Sequence, residues 1–302
     1  MDTPSLFARN SVRGVILVLC AGLLWGTTGT AQSFSANTLS PYWVGALRLV
    51  ISAAFFTLYI VATIGLRAIR ASMAMVDWRH AVLAGACMAG YNLAFFAGVK
   101  ATGVAVGTAL ALGSGPIWAG LLQMLGGRAP SGHWWAGTML AVAGGVLLVL
   151  GRGGTLQADP TGIALCLAAG LTYALYAIIN KRMVHRADPG VVTLAVFSVA
   201  AAIALPAAWL WAGELAITGR GWAVVLFLGV VATGVAYLLF SNGLRGITAA
   251  TGVSLALMEP ITAFLLAIAV IGERPELAAY LGLAALLVGL SIVIRAEVRR
   301  TA

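Results

Sequence analysis

Apolar residues run in long blocks along this chain, and polar positions are confined to the short intervals between them. Ten blocks can be marked, near residues 14–34, 41–66, 80–99, 103–125, 133–150, 161–180, 190–212, 221–243, 248–271 and 277–295. Each holds roughly 18 to 25 residues, enough to cross a hydrocarbon core about 30 Å thick as a helix. The pattern predicts an all-α integral membrane protein with ten transmembrane helices. The first block follows Arg9 and Arg13 as a signal peptide would, but it has a partner in the second half and is read as a span.

That partner emerges when the sequence is shifted by 148 residues. Gly14, Gly22 and Pro41 then meet Gly162, Gly170 and Pro189, and aromatic Trp25 meets aromatic Tyr173. An offset of 145 pairs Phe95, Gly98 and Lys100 with Phe240, Gly243 and Arg245, then Leu110, Ala111 and Leu112 with Leu255, Ala256 and Leu257. It also pairs Gly127, Pro130, Gly137 and Gly144 with Gly272, Pro275, Gly282 and Gly289. The chain therefore reads as two copies of one unit, 1–151 and 152–302. Five spans per unit is an odd number, so the second copy enters from the opposite face. The expected fold is two inverted five-helix repeats, a plan of secondary transporters with the substrate site between the repeats near the bilayer midplane.

Lysine and arginine are retained on the cytoplasmic side of a membrane. With the N-terminus inside, thirteen cations fall inside, among them Arg9, Arg13, Arg67, Arg70, Arg128, Lys181 and Arg300. Four fall outside, Lys100, Arg152, Arg220 and Arg274, and Arg48 lies within a span. Both ends are expected in the cytoplasm of a bacterial-type inner membrane.

Composition narrows the function. At 61% apolar and 9% charged residues, with a mean hydropathy of +1.00, the chain is outside the range of soluble domains. The net charge of +9 is explained by the loops, and no basic and aromatic platform for nucleic acid is visible. Cys20, Cys87 and Cys166 lie in apolar blocks without metal or disulfide spacing. His80, His133 and His185 lie at span ends or loops, and no HExxH, GxSxG or Walker A motif occurs. The reading is no enzyme, no cofactor, no metal and no ATP, with the lipid bilayer and a small-molecule substrate as partners. A selectivity filter or repeated charge ring of a channel is not visible either.

The chemistry that remains is inside the membrane. Glu259 and Pro260 interrupt an apolar block, and both are costly in lipid, as an ionisable group and as a residue without a backbone donor. Glu259 is expected near mid-depth, and Arg48 about 10 Å below the outer end of the second helix. They read either as groups that meet cargo or a proton, or as a pair that locks the bundle. Pro116 and Pro260 are expected to break their helices and to free carbonyls for a solute, or simply to kink them. Trp25, Tyr91, Asn92, Trp118, Tyr173, Tyr176, Asn180, Tyr237 and Asn242 are candidates to line a cavity, or to bond between helices. Such a lining suits a small solute with a flat apolar part and few polar groups. Trp43, Trp78, Trp134, Trp135, Trp209, Trp211 and Trp222 fall near span ends and read as an interfacial belt.

These features resemble the EamA family of the drug/metabolite transporter superfamily. The likeness rests on Trp25 and Tyr173 in the first helix of each unit and on a proline opening the second helix, followed in the first copy by Arg48 in GALRLVISA. It rests also on LALMEPITAFLLAIAVIGE, closing at Glu273. The first copy departs from this element, with Gly115 and Arg128 at the acidic places. The resemblance implies export of small metabolites, and a likeness to YddG-type amino-acid exporters implies aromatic or apolar amino acids as cargo. Two other readings stand beside it, a carrier of amphipathic or cationic drugs and a membrane subunit that acts structurally or within a complex.

Overall fold

The structure is a computed structural model that describes residues 6–34, 39–151 and 159–301. Ten helices are long and apolar enough to span a membrane. Five of them are α1 (Leu6–Ser33), α2 (Pro41–Ile64), α4 (Trp78–Thr102), α5 (Val104–Leu125) and α6 (Gly132–Leu150). The second five begin with α7 (Pro160–Val184) and α8 (Pro189–Ala212). The eighth span joins α9 (Gly219–Phe227) to α10 (Ala236–Gly243) through a wide-turned π segment, Leu228–Val235. The ninth span is interrupted, made of α11 (Ala249–Leu255) and α12 (Met258–Leu266), and α13 (Leu277–Thr301) is the tenth.

Local chemistry sets the ends. Proline opens α2, α7 and α8, where its missing N–H costs nothing. Asp77, Asp159, Asp188, Ser131, Thr218 and Thr248 cap helices by accepting from first-turn amides. Gly103, at φ +84°, turns α4 into α5 within one residue, a conformation that a side chain would oppose. A short helix, α3 (Leu66–Ala74), fills the interval between the second and third spans, where the apolar pattern alone gave no element.

The two units are inverted repeats, and their packing displays the pseudo-twofold directly. α6 and α13 cross where Gly137 faces Gly289 and Gly144 faces Gly282; a Cβ on Gly137 would lie 2.9 Å from Gly289 O, and one on Gly144 would lie 2.7 Å from Gly282 O. The offset of 145 exchanges these two contacts. Gly14 against Gly243 (2.7 Å to its carbonyl) and Gly98 against Gly162 (3.1 Å to its carbonyl) exchange likewise, by the offsets of 148 and 145. Without a side chain at these positions the helix backbones approach closely, the main attraction available between helices in lipid. Near the midplane the register differs by one from the sequence match. Gly22 packs on Leu255 O and Met258, and Gly170 packs on Ala111 O and Ser114, so the local offset is 144. That offset superposes Pro116 on Pro260 and Gly115 on Glu259.

The start of α1 and the end of α13 lie on one face. Ser11 Oγ donates to Gly246 O at 3.1 Å, and Thr248 N donates to Glu297 Oε1 at 2.8 Å, which gathers the start of α1, the α10–α11 turn and the end of α13. Arg152 and the side chains of Arg67 and Arg70, three of the cations that orient the chain, lie outside the described residues. So do residues 152–158, at whose edge the expected boundary between the units falls.

The tryptophan belt needs correction. Trp78, Trp209, Trp211 and Trp222 are exposed, as interfacial residues should be. Trp43 and Trp134 are buried instead, donating from Nε1 to Gly213 O at 3.0 Å and to Thr251 Oγ1 at 3.1 Å. Closeness to a span end does not fix which way a ring points.

Candidate functional site

Pro260 determines the local backbone of the ninth span. Lacking an N–H, it cannot donate to Ala256 O one turn earlier, and Glu259 N takes that carbonyl at 2.9 Å in a tighter turn. Leu257 N likewise reaches only three residues back, to Ser254 O at 3.1 Å. The helix therefore stops at Leu255 and restarts at Met258, with Glu259 in the first turn of α12. At Pro116 the expected break does not occur, because α5 runs unbroken from Val104 to Leu125. The interruption belongs to the second repeat alone.

α1 fixes the rotation of α12, since a Cβ on Gly26 would lie 2.6 Å from Glu259 O. The carboxyl is thereby presented to the interior, within electrostatic reach of Arg48 on α2, Tyr91 on α4, Tyr173 on α7 and Tyr237 on α10. Glu259 and Arg48 do not close into an ion pair within 4 Å, and Arg48 Nε has no hydrogen-bond partner. Both side chains, with that of Tyr91, keep accessible surface.

Aromatic rings from both repeats surround this charge pair. Trp25 lies 5.0 Å from Tyr237, 5.4 Å from Phe240 and 6.4 Å from Tyr173 between ring centroids. Tyr91 lies 5.2 Å from Tyr173, and Phe197 lies 4.7 Å from Tyr237. Trp25 Nε1 is buried without a partner. Tyr176, Phe197, Phe240 and Phe56 are fully buried. They form a layer packed ring against ring, Phe56 on Phe197 at 5.4 Å, Phe197 on Tyr176 at 6.5 Å and Tyr176 on Phe240 at 6.4 Å, one turn along α7 from Tyr173 toward Lys181. Behind that layer, Asn180 Nδ2 donates to Ser241 Oγ at 3.0 Å, and Lys181 Nζ donates to Leu244 O and Ile247 O at 2.8 and 2.7 Å.

The structure thus brings Trp25, Tyr91, Tyr173, Tyr176 and Tyr237 together with Arg48 and Glu259. The amides serve helices instead. Asn92 Nδ2 donates to Met88 O at 2.9 Å, Asn242 Nδ2 donates to Leu238 O at 2.8 Å, and Asn180 is fully buried against α10. Trp118, on α5, makes no ring contact with the central aromatics, and its Nε1 is unpartnered. Three members of the aromatic layer, Phe56, Phe197 and Phe240, were not among the cavity candidates read from sequence, because an apolar ring in an apolar block carries no signal of its own. Glu297 was also missed. It is a second buried acid, and it accepts from Thr248 N and from Thr251 Oγ1 at 2.6 Å, capping α11.

The chain shares this architecture with known proteins. A solved crystal structure superposes with a TM-score of 0.81 at 21% identity, covering 93% of this chain and 96% of that one, a likeness of fold. An uncharacterised transporter of Bacillus subtilis, YwfM, is 36% identical over 92% of each chain. An uncharacterised protein of Pseudomonas aeruginosa is 31% identical over 88% of this chain and 83% of its own. The profile of the EamA-like transporter family matches twice, over residues 12–150 and 160–295, once for each repeat. This multi-pass membrane protein, built of two inverted repeats around a charge pair ringed by aromatic side chains, belongs to the EamA-like transporter family.

Proposed function

We propose that the chain is a secondary transporter that exports small amphipathic metabolites, foremost amino acids with aromatic or apolar side chains. The observation that carries this reading is the separation of Arg48 from Glu259. A closed ion pair would satisfy both charges; here an anionic and a cationic group lie within electrostatic reach of one another, each with capacity left. A zwitterion can answer both at once, its carboxylate on Arg48 and the unpartnered Trp25 Nε1, its ammonium on Glu259. The flat side chain would lie against Tyr91, Tyr173 and Tyr237.

The cycle is alternating access, with the units 1–151 and 152–302 rocking about the pseudo-twofold. The fully buried layer of Tyr176, Phe197, Phe240 and Phe56 supports a state closed toward the chain's ends. By the distribution of cations those ends are cytoplasmic.

Counterflow by the purified chain in liposomes tests the proposal. Tryptophan, phenylalanine and leucine should exchange, while phenethylamine and phenylpropionate, each lacking one charged end, should move on the order of tenfold more slowly. Movement of flat organic cations at the rate of amino acids would favour a drug carrier. No movement of any amino acid would overturn the assignment.

A further inference from the structure

On the face that carries both chain ends lies a cavity of about 740 Å³, within the size range of small-molecule sites. It sits between the repeats. Arg128 enters from the first, and Arg182, Arg186 and Arg300 enter from the second. Its two acids are already engaged. Asp77 holds His80 Nδ1 at 2.7 Å, and Glu297 is taken up by Thr248 and Thr251. Lys181 is bound to carbonyls, and Arg128 and Arg300 are near enough to repel it. The guanidinium groups of these four arginines make no hydrogen bond or ion pair with any described residue.

Retention of positive charge on the cytoplasmic side requires only cations near span ends. It does not require guanidinium groups from both repeats to converge on one hollow whose acids are spent. Convergence raises mutual repulsion, and an anion relieves it. Four planar forks offer more donors than the two oxygens of a carboxylate can accept, whereas a phosphate or diphosphate group presents more oxygens in matching geometry.

We propose that this vestibule is a phosphate-binding site, in which Arg128, Arg182, Arg186 and Arg300 hold a phosphate group between the two repeats. The group comes either from a soluble phosphate compound or from the headgroup of an anionic phospholipid, which presents the same chemistry at this face. The site is separate from Arg48, Glu259 and the rings around them, and it stands whether or not amino acids are the cargo.

The unfolding midpoint of the full chain in neutral detergent is the readout, with pyrophosphate as the first probe. Pyrophosphate should raise the midpoint with the logarithm of its concentration, and sodium chloride of equal ionic strength should not. The Arg128→Gln, Arg300→Gln variant should weaken the apparent affinity on the order of tenfold or more. A shift seen only in phosphatidylglycerol nanodiscs relative to phosphatidylcholine nanodiscs, and reduced in that variant, would identify the lipid headgroup as the source. Should the variant fail to fold, Arg128→Lys with Arg300→Lys keeps the charge and removes the fork, and it should weaken binding measurably. Absence of a shift with both probes, or an equal shift in wild type and variants, would overturn the site.

Discussion

Arg48, from the second helix of the first repeat, and Glu259, from the interrupted span of the second, face one another without closing to ion-pair distance. The asymmetry is built in. At the equivalent places Val196 stands for Arg48, by the offset of 148, and Gly115 stands for Glu259, by the offset of 144. Val196 and Arg48 even make matching contacts, their carbonyls lying 2.8 Å and 3.4 Å from a Cβ placed on Gly85 and Gly229. Pseudosymmetric helices thus supply one cation and one anion, each once.

An open charge pair predicts a specific split between stability and flux. Glu259→Gln and Arg48→Gln should each cost about 1 kcal/mol or less, against roughly 3 to 5 for breaking a closed buried pair. Each should lower amino-acid counterflow at least about tenfold. Chemical unfolding in detergent and counterflow in liposomes, run on the same preparations, check both. A large loss of stability would return the pair to a structural role.

Glycine at the α6–α13 crossing should be irreplaceable by even one methyl group. A Cβ on Gly144 would press on the Leu286 amide and on Gly282 O, both backbone atoms that cannot turn aside. Gly144→Ala should destabilise by about 1 to 3 kcal/mol. Gly29→Ala, where a Cβ meets nothing within 4 Å, should leave the unfolding midpoint unchanged or slightly higher.

Glu297 should prove structural. Removing its carboxylate in Glu297→Ala leaves Thr248 N and Thr251 Oγ1 without their acceptor at the start of α11. The expected cost is roughly 2 to 3 kcal/mol, with Glu297→Gln losing less because one oxygen remains. Denaturant titration in micelles measures it; a neutral Glu297→Ala would show that water replaces the cap.

His185, just past α7, should titrate below its ordinary value of 6.5, because burial disfavours the imidazolium and Lys181 and Arg245 repel it. A lowered folded value means the fold favours neutral imidazole. Its contribution is therefore present above 6.5 and is lost as pH falls below 6.5 toward the folded value. NMR titration of His185 should give a value that rises toward the ordinary one in Arg245→Gln. His185→Gln should flatten the dependence of stability on pH below neutrality.

The apolar blocks by themselves determined that ten helices span the bilayer, because lipid leaves a backbone no partner outside its own helix. Block count and matched prolines and glycines then determined the inverted duplication, since an odd number of crossings must flip the second copy. Glu259 and Arg48 were legible for a related reason: a charge in lipid is too costly to be incidental. Rotation was not legible. Nothing in the sequence distinguishes Trp25, which packs on Tyr173 and Tyr237, from Trp118, which does not, nor exposed Trp209 from buried Trp43. The sequence set Pro116 and Pro260 alike, yet only the second helix breaks, so the backbone consequence of a proline depended on its neighbours. Phe56, Phe197 and Phe240 joined the site, and four arginines converged on one cavity, only through packing between spans far apart in the chain. Hydropathy is a property of each segment, whereas a site is made where segments meet, and tertiary structure alone decides which faces those are.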